Sequence, residues 1–470
     1  MELRSGRRLR SETPLGARRR FQPRIRPHRD TDGVDHISGL PDDLLHQILV
    51  RLRCARAAAH TSLLSRRWRG LWRHLPDLSF RGITPGALDT ALSQVARAEL
   101  CLLDIDVPAE QHRYSAAGVA SLLRTAARLA PVVLSVVVRG DIDDRNIPVE
   151  VPIFDRAMSL KLDVENLYLI PPAQGGEFSV LEKLTISGCH VGKGFLVSQC
   201  PCLRVLELSG CWRLGVVMVH STTIEELVVD GNGWIEGIDI VAPALRKFTM
   251  STLMERDFNV SFLAPIAEDI SWYCSCDFRN VVISEMWLLN HLHLWMKKSI
   301  CGLYLSIMTY STTYAGRDLM QLVGQLPKFS VLKLYLITRG HVFGAMMLNV
   351  FGFCTAIKSL KLVIHPFERT TEACPQNCPC DQLQDWRNQS ISLMALEEVT
   401  IENLGASGHE ADFVILIFRC APLMKRMTVK LASEVLPSNR GCKKICDIFK
   451  ENPSVKCYLY SGHGKKVLYA

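Results

Sequence analysis

The chain has 470 residues, 48% of them hydrophobic and 22% charged, with a formal net charge of +8. This composition supplies a large core, excludes wholesale disorder and suits two or three domains. Ten Arg, no Lys and three acids (Glu2, Glu12, Asp30) fall in residues 1–30, so this segment holds +7 of the excess and the other 440 residues are nearly neutral. A neutral body lacks the clustered Lys and Arg of a broad nucleic-acid face, so nucleic acid is not expected among the partners. No run approaches the ~18 consecutive apolar residues of a membrane span. The charged opening lacks the apolar core of a secretory signal. The 17 Cys are then expected as reduced thiols of cytosol or nucleus, since an odd count would leave one disulfide partner over.

Residues 1–35 read as a disordered basic tail with little to bury. Its Arg7, Arg8, Arg10, Arg18, Arg19 and Arg20 fit a two-part nuclear-import signal, a weak nucleic-acid arm or a solubilising extension. Residues 36–80 read as a compact set of amphipathic helices. Leu44, Leu45, Ile48, Leu49 and Leu52 recur at helical spacing. Pro41 suits a first helical turn, and Asp42 and Asp43 oppose the positive end of the helix dipole. A second run supplies Leu63, Leu64, Trp68, Leu71 and Trp72. About 40 residues form a marginal core alone. Two Trp inside an Arg-rich rim suit an interface, so a partner is expected to complete the bundle.

From 87 to 130 two helical patterns, ALDTALSQVARAEL and SAAGVASLLRTAARLA, flank the strand candidate LCLLDIDV, and VVLSVVV at 132–138 reads as a further strand. A repeat follows. Leu181-x-x-Leu184-x-Ile186 is matched from Leu203, Ile224 and Leu245, and more weakly from Ala267, at steps of 22, 21, 21 and 22 residues. Eight residues after the first apolar position stand Cys189, Cys211 and Asn232. A period in the low twenties with Cys or Asn at that place is the pattern of a leucine-rich-repeat solenoid, where the polar side chain bonds free backbone in the turn leaving the strand. Units starting at Phe329, Ile357, Leu396 and Met424 keep the strand pattern at steps of 28, 39 and 28, so helices or loops are expected in the added length.

Chemical motifs are few. Cys374, Cys378 and Cys380 could hold zinc with Cys354, Asp381, His365 or His409 as a fourth ligand, or form a loop of reduced thiols. His291 and His293 alternate on one strand face and are expected to point outward into water. There is no phosphate-binding G-x-x-x-x-G-K-[ST], no H-E-x-x-H and no G-x-S-x-G, so binding is expected rather than covalent chemistry, with no cofactor.

The segments LPDDLL, IL.RL and TSLLSRRWRGLW together resemble the F-box of plant proteins, with a departure at Ala59-His60, where the family often has Ala-Arg. LEEVTIENL, FRCAPLMKRMTVKL and NPSVKCYLY resemble the FBD module that follows leucine-rich repeats in many of them. The resemblance implies an α/β chain: a helical F-box at 36–80, an irregular leucine-rich-repeat solenoid at 81–395, and an FBD-like module at 396–470. The solenoid would be a curved parallel sheet with outer helices and loops, carrying a Cys-rich insertion near 374–380. It implies a substrate-recognition adaptor, not an enzyme, in nucleus or cytoplasm, whose partners are a Skp-type adaptor with a cullin ligase core and an unknown target protein. The alternative is a repeat scaffold that docks the adaptor without ubiquitinating a target. Adaptor docking is expected at Leu40, Pro41, Leu44, Leu45, Ile48, Leu49, Leu63, Ser65, Trp68, Leu71 and Trp72. Strand alternation puts Lys183, Thr185, Val205, Glu207, Glu226, Val228, Asp230, Lys247 and Thr249 on the outward sheet face, the expected target-binding patch.

Overall fold

The computed structural model of the chain describes residues 37–466 apart from 38, 53, 110–113, 141, 143–145, 173–174, 192–196, 213, 277–280, 285, 310–316, 366–377, 383–385 and 437. The Arg-rich tail, Cys374 and the side chain of Asn232 lie outside what is described. The chain divides into two compact units, Met1–Leu45 and His46–Ala470.

Helix α1 spans Asp42–Arg51 with both acids in its first turn. Within the first unit, Leu40 N donates to Ile37 O and Leu44 N to Pro41 O, which starts the helix. In the second unit α2 (Ala55–His60) leads into three single 3₁₀ turns, Thr61–Leu63, Arg66–Trp68 and Leu71–His74. The second apolar run is therefore not a continuous helix. Ser65 is extended and Gly70 sits at φ +82°, and each interrupts the helical ladder. Leu49, Ala58, Trp68, Trp72 and Leu75 are buried there.

One large sheet dominates the second unit. Strands β1 (Asp77–Arg81), β2 (Leu102–Val107), β3 (Val133–Val138), β4 (Ser159–Val164), β5 (Lys183–Ser187) and β6 (Val205–Cys211) pair in sequence order, all parallel. So do β7 (Glu226–Val241), β8 (Lys247–Leu263) and β9 (Asp269–Cys276). The repeat thus begins well before Leu181. At Ala157-x-x-Leu160-x-Leu162 the first apolar position is only an alanine, which hides the frame. Even β1, inside the 36–80 stretch, pairs with β2.

The sheet is mostly parallel, as expected, with an exception at β10 (Trp287–Lys297), which is antiparallel to both β9 and β11 (Ile300–Thr309). The chain reverses first before Trp287, where Ser284 pairs with Trp287, and again at a two-residue hairpin, where Lys297 pairs with Ile300 and Lys298 and Ser299 between them take φ 47° and 69°. Positive φ at both positions matches the right-handed twist of the strands. Lys-Ser carries none of the Asn or Gly signals that announce such a turn. From β11 onward the order is parallel again: β12 (Val331–Ile337), β13 (Ser359–His365), β14 (Glu398–Leu404), β15 (Arg426–Leu431) and β16 (Lys456–Tyr460). The last three strands, in the FBD-like stretch, extend the same sheet.

The inward side is apolar at every second residue. Leu184, Ile186, Leu206, Leu208, Leu227, Val229, Phe248, Met250, Ile270 and Trp272 are all buried, each such side chain contributing about 1.5–3 kcal/mol. Cys189 Sγ donates to Val164 O at 3.2 Å and Cys211 Sγ to Ile186 O at 3.5 Å, each reaching back to the preceding coil. Burial pushes both thiols up, Cys211 to about 11, so they act as structural donors rather than nucleophiles. Helices occupy the longer connections: α3 (Pro85–Ser93), α4 (Ala116–Arg128), α5 (Gly344–Phe353), the short α6 (Pro379–Gln382), α7 (Gly408–Cys420) and α8 (Arg440–Glu451). A capping box of Ser407 with Glu410 starts α7.

Candidate binding surfaces

In the first unit Pro41 and Leu44 are exposed, Leu40 is half-buried and Leu45 is buried. In the second, Ile48, Leu63 and Ser65 are exposed and Leu71 is half-buried, whereas Leu49, Trp68 and Trp72 are buried. Within the second unit Leu49, Trp68 and Trp72 are therefore interior residues rather than the exposed surface their type suggested. So short a bundle has few other large side chains with which to fill its centre. The structure adds Leu52 and Leu64 to the exposed set. Leu63 and Leu64 stand at 85% and 71% exposure, side by side on the turn after α2. Their adjacency was visible in the sequence, but a helical reading divides neighbours between faces.

The outward side of the sheet brings the nine expected target-facing positions together. Lys183, Val205, Glu226 and Lys247 form one cross-strand row, Thr185, Glu207, Val228 and Thr249 the next, and Asp230 lies in the third. Their charges are largely matched within the chain. Lys183 Nζ lies 3.0 Å from Glu207 Oε1, and Lys247 is paired with Glu226. Thr185 is not available: its hydroxyl donates to Glu207 Oε2 at 2.9 Å and it is only 9% exposed. Burial tends to raise the Glu207 carboxyl. The hydrogen bonds from Lys183 and Thr185 and the two lysine charges outweigh that and hold it below the usual glutamate value.

From β9 to β13 the same face changes character. Tyr273 stacks on His291 with ring centroids 5.6 Å apart, and its hydroxyl meets His291 Nδ1 at 2.9 Å. His293 lies edge-on to Tyr273, and its Nε2 is 3.3 Å from Ser271 Oγ. Tyr304, opposite His293, continues into Lys333 on β12. Trp295 lies over Gly302, where a Cβ would come within 2.3 Å of the indole, and Lys333 Nζ stands 5.4 Å from that ring. Tyr335 packs on His365 at 5.4 Å. The histidines are thus half-buried and held by neighbours rather than freely hydrated. Burial lowers the pKa of both, and the Lys333 charge lowers that of His293 further. Strand alternation predicted their shared face. Their neighbours depend on the inverted strand and could not be read from spacing.

Of the metal-ligand candidates, Cys378 and Cys380 come together with His341, a residue the sequence pattern had not suggested. The other proposed ligands are engaged elsewhere: His365 with Tyr335, His409 with Phe343, Asp381 with Arg387. Cys354 closes the end of α5. Among the described residues no helix is long and apolar enough to cross a membrane.

Residues 37–80 match the F-box domain family. The chain is 28% identical over 303 residues to the F-box/LRR-repeat protein At5g02910 of Arabidopsis thaliana, covering 59% of this chain and 62% of that one. It is 28% identical over 235 residues to the putative F-box/FBD/LRR-repeat protein At4g03220 of the same plant, covering 47% of each. Against the Arabidopsis F-box/FBD/LRR-repeat protein At1g80470 the identity is 47% over 57 residues, 12% of each chain. The first two matches therefore span less than two thirds of those relatives. No solved structure matches. Residues 37–80 are thus of F-box type, and with the long, mostly parallel repeat sheet that follows them the chain is similar to plant F-box/LRR-repeat and F-box/FBD/LRR-repeat proteins.

Proposed function

We propose that this chain is the substrate-recognition subunit of a Skp–cullin–F-box ubiquitin ligase in nucleus or cytoplasm. The F-box docks the Skp-type adaptor, the open sheet face holds a target protein, and the chain performs no covalent step itself. The observation that carries the reading is a segment matching the F-box family that exposes large apolar side chains, Leu63 and Leu64 foremost. Exposed leucines of this kind gain by burial against a partner. Holding a target beside the conjugating enzyme raises its effective concentration, so tethering does the work that catalytic side chains do in other proteins.

The target face extends from Lys183 to Tyr335 in this reading. Its aromatic part supplies ring area and hydrogen-bonding tips, the combination that anchors protein interfaces. The test is co-precipitation of the Skp-type adaptor with full-length protein. Leu40→Ala/Pro41→Ala and, separately, Leu63→Asp/Leu64→Asp are expected to abolish capture while the solenoid keeps its circular-dichroism spectrum. Undiminished adaptor capture by both variants overturns the docking assignment.

A further inference from the structure

The turn after β12 and the start of α6 meet at three metal-ligating side chains. The Sγ atoms of Cys378 and Cys380 and a ring nitrogen of His341 all lie within 4.8 Å of one another, with both cysteines buried and the histidine half-buried. Cys378 Sγ is 3.3 Å from His341 Nδ1, across 37 residues of sequence. We propose that His341, Cys378 and Cys380 form a zinc site, with a fourth position for water or another donor. The proposal does not depend on the ligase reading.

The donor set selects the ion. Two thiolates and an imidazole suit zinc and disfavour calcium or magnesium, which take oxygen ligands. Tetrahedral zinc, with Zn–S about 2.3 Å and Zn–N about 2.0–2.1 Å, puts sulfur and nitrogen about 3.6 Å apart. The observed 3.3 Å is within a few tenths of an ångström of that spacing.

The backbone holding these ligands is fixed by groups that are not ligands. Arg339 and Gly340 take φ 46° and 83°, and His341 N donates to Thr338 O at 2.8 Å, which defines the turn. On the other side Asp381 N donates to Cys378 O at 3.2 Å, and Pro379 between the two cysteines restricts φ. Asp381 accepts from Trp386 Nε1 at 3.4 Å and from Arg387 Nη1 at 3.1 Å. Arg387 also donates to Asp412 on α7 at 2.8 Å and lies 4.6 Å from the Trp386 ring. Trp386 is buried over Gly344, where a Cβ would come within 2.4 Å of the indole. Such support is what a metal site needs to keep its ligands in place. Zinc here would fasten the insertion between β13 and β14 to the turn after β12. It would do so at the longest step of the repeat, 39 residues.

The experiment uses the full chain, purified under reducing conditions, reconstituted with zinc and dialysed free of excess. One equivalent of zinc per chain is expected. Cobalt in its place is expected to give thiolate-to-cobalt charge transfer and the intense ligand-field bands of a four-coordinate ion. Zinc far below one equivalent, or a cobalt spectrum without thiolate charge transfer, overturns the proposal. Cys378→Ser/Cys380→Ser should lose the equivalent, and full retention would place zinc on other cysteines and overturn it. His341→Cys keeps a donor, so it should retain the metal and strengthen the charge-transfer band. An unchanged cobalt spectrum in that variant removes His341 from the site and overturns the proposal too.

Discussion

From β5 to β8 the open sheet face carries charges already matched within the chain: Lys183 with Glu207, Lys247 with Glu226. From β9 to β12 it carries rings: Tyr273, His291, His293, Trp295, Tyr304 and Tyr335, joined to one another more than to ions. The two regions share a face and an alternation, and differ in side-chain chemistry and in the inverted strand β10 that sets the rings beside one another. Matched surface pairs contribute ~0–1 kcal/mol and are screened by salt, and a partner must disturb them to use them. Rings keep contact area and hydrogen-bonding tips available without a broken pair. A count of charges along a strand says which face is polar. It does not say which charges cancel, and here most of the counted ones do.

The comparison breaks most easily at its boundary. Trp272, inward on β9 and 1% exposed, is among the largest buried side chains. Trp272→Ala is expected to cost about 3–5 kcal/mol through lost burial and a cavity, read as a lower denaturation midpoint of the full chain. A change within error would mean that the inward row does not hold the two regions together. Gly302→Val should cost less, about 1–3 kcal/mol, by overpacking. Its new Cβ would force the indole of Trp295 away from its place over the strand and from Lys333. Quenched or shifted Trp emission should accompany the loss. For target capture, Tyr273→Ala/Trp295→Ala should weaken binding by about 2 kcal/mol, as truncated aromatic anchors do. Reversing Glu207, Glu226 and Asp230 to Lys should weaken it less. Comparative proteomics of captured proteins decides the order, and the reverse ranking would return the site to the charged rows.

Much of this architecture was legible in the sequence because burial on one side of a strand imposes a period of two, and stacking coils imposes a period near 22 residues. Leu184, Leu206, Leu227 and Phe248 announced their strands, and Cys189 and Cys211 announced the turns they bond. What escaped depends on backbone or on distant neighbours. The return from β10 to β11 turns on the φ of Lys298 and Ser299, which those residue types do not signal. Trp68 and Trp72 looked like interface anchors, yet a small bundle uses them as its centre. His341 joins Cys378 and Cys380 only because the insertion returns to the turn after β12, a contact no local spacing encodes.

The smallest expected effect separates the two regions by pH. His291 and His293 face Tyr273, Ser271, Tyr304, Ser306 and Lys333 across the neighbouring strands. Burial depresses both imidazole pKa values below 6.5, with Lys333 adding to the effect on His293. The unfolded chain, titrating near 6.5, then binds protons that the folded chain refuses. Their contribution is whole above about 6.5 and is lost as pH falls from there through the depressed folded values. Glu207 has the same sign in a lower window, because its folded pKa lies below the ordinary 4.5. Its contribution is present above about 4.5 and is lost only beneath that. His291→Gln/His293→Gln should therefore flatten the decline in denaturation midpoint that begins near pH 6.5 and leave the acid limb in place, while Lys183→Met should weaken the acid limb alone. Both groups are partly solvated, so each change should be a modest shift, and the Lys183 effect should shrink with added salt. Should both variants alter the same pH window, the face would behave as one coupled surface and the division into two regions would fail.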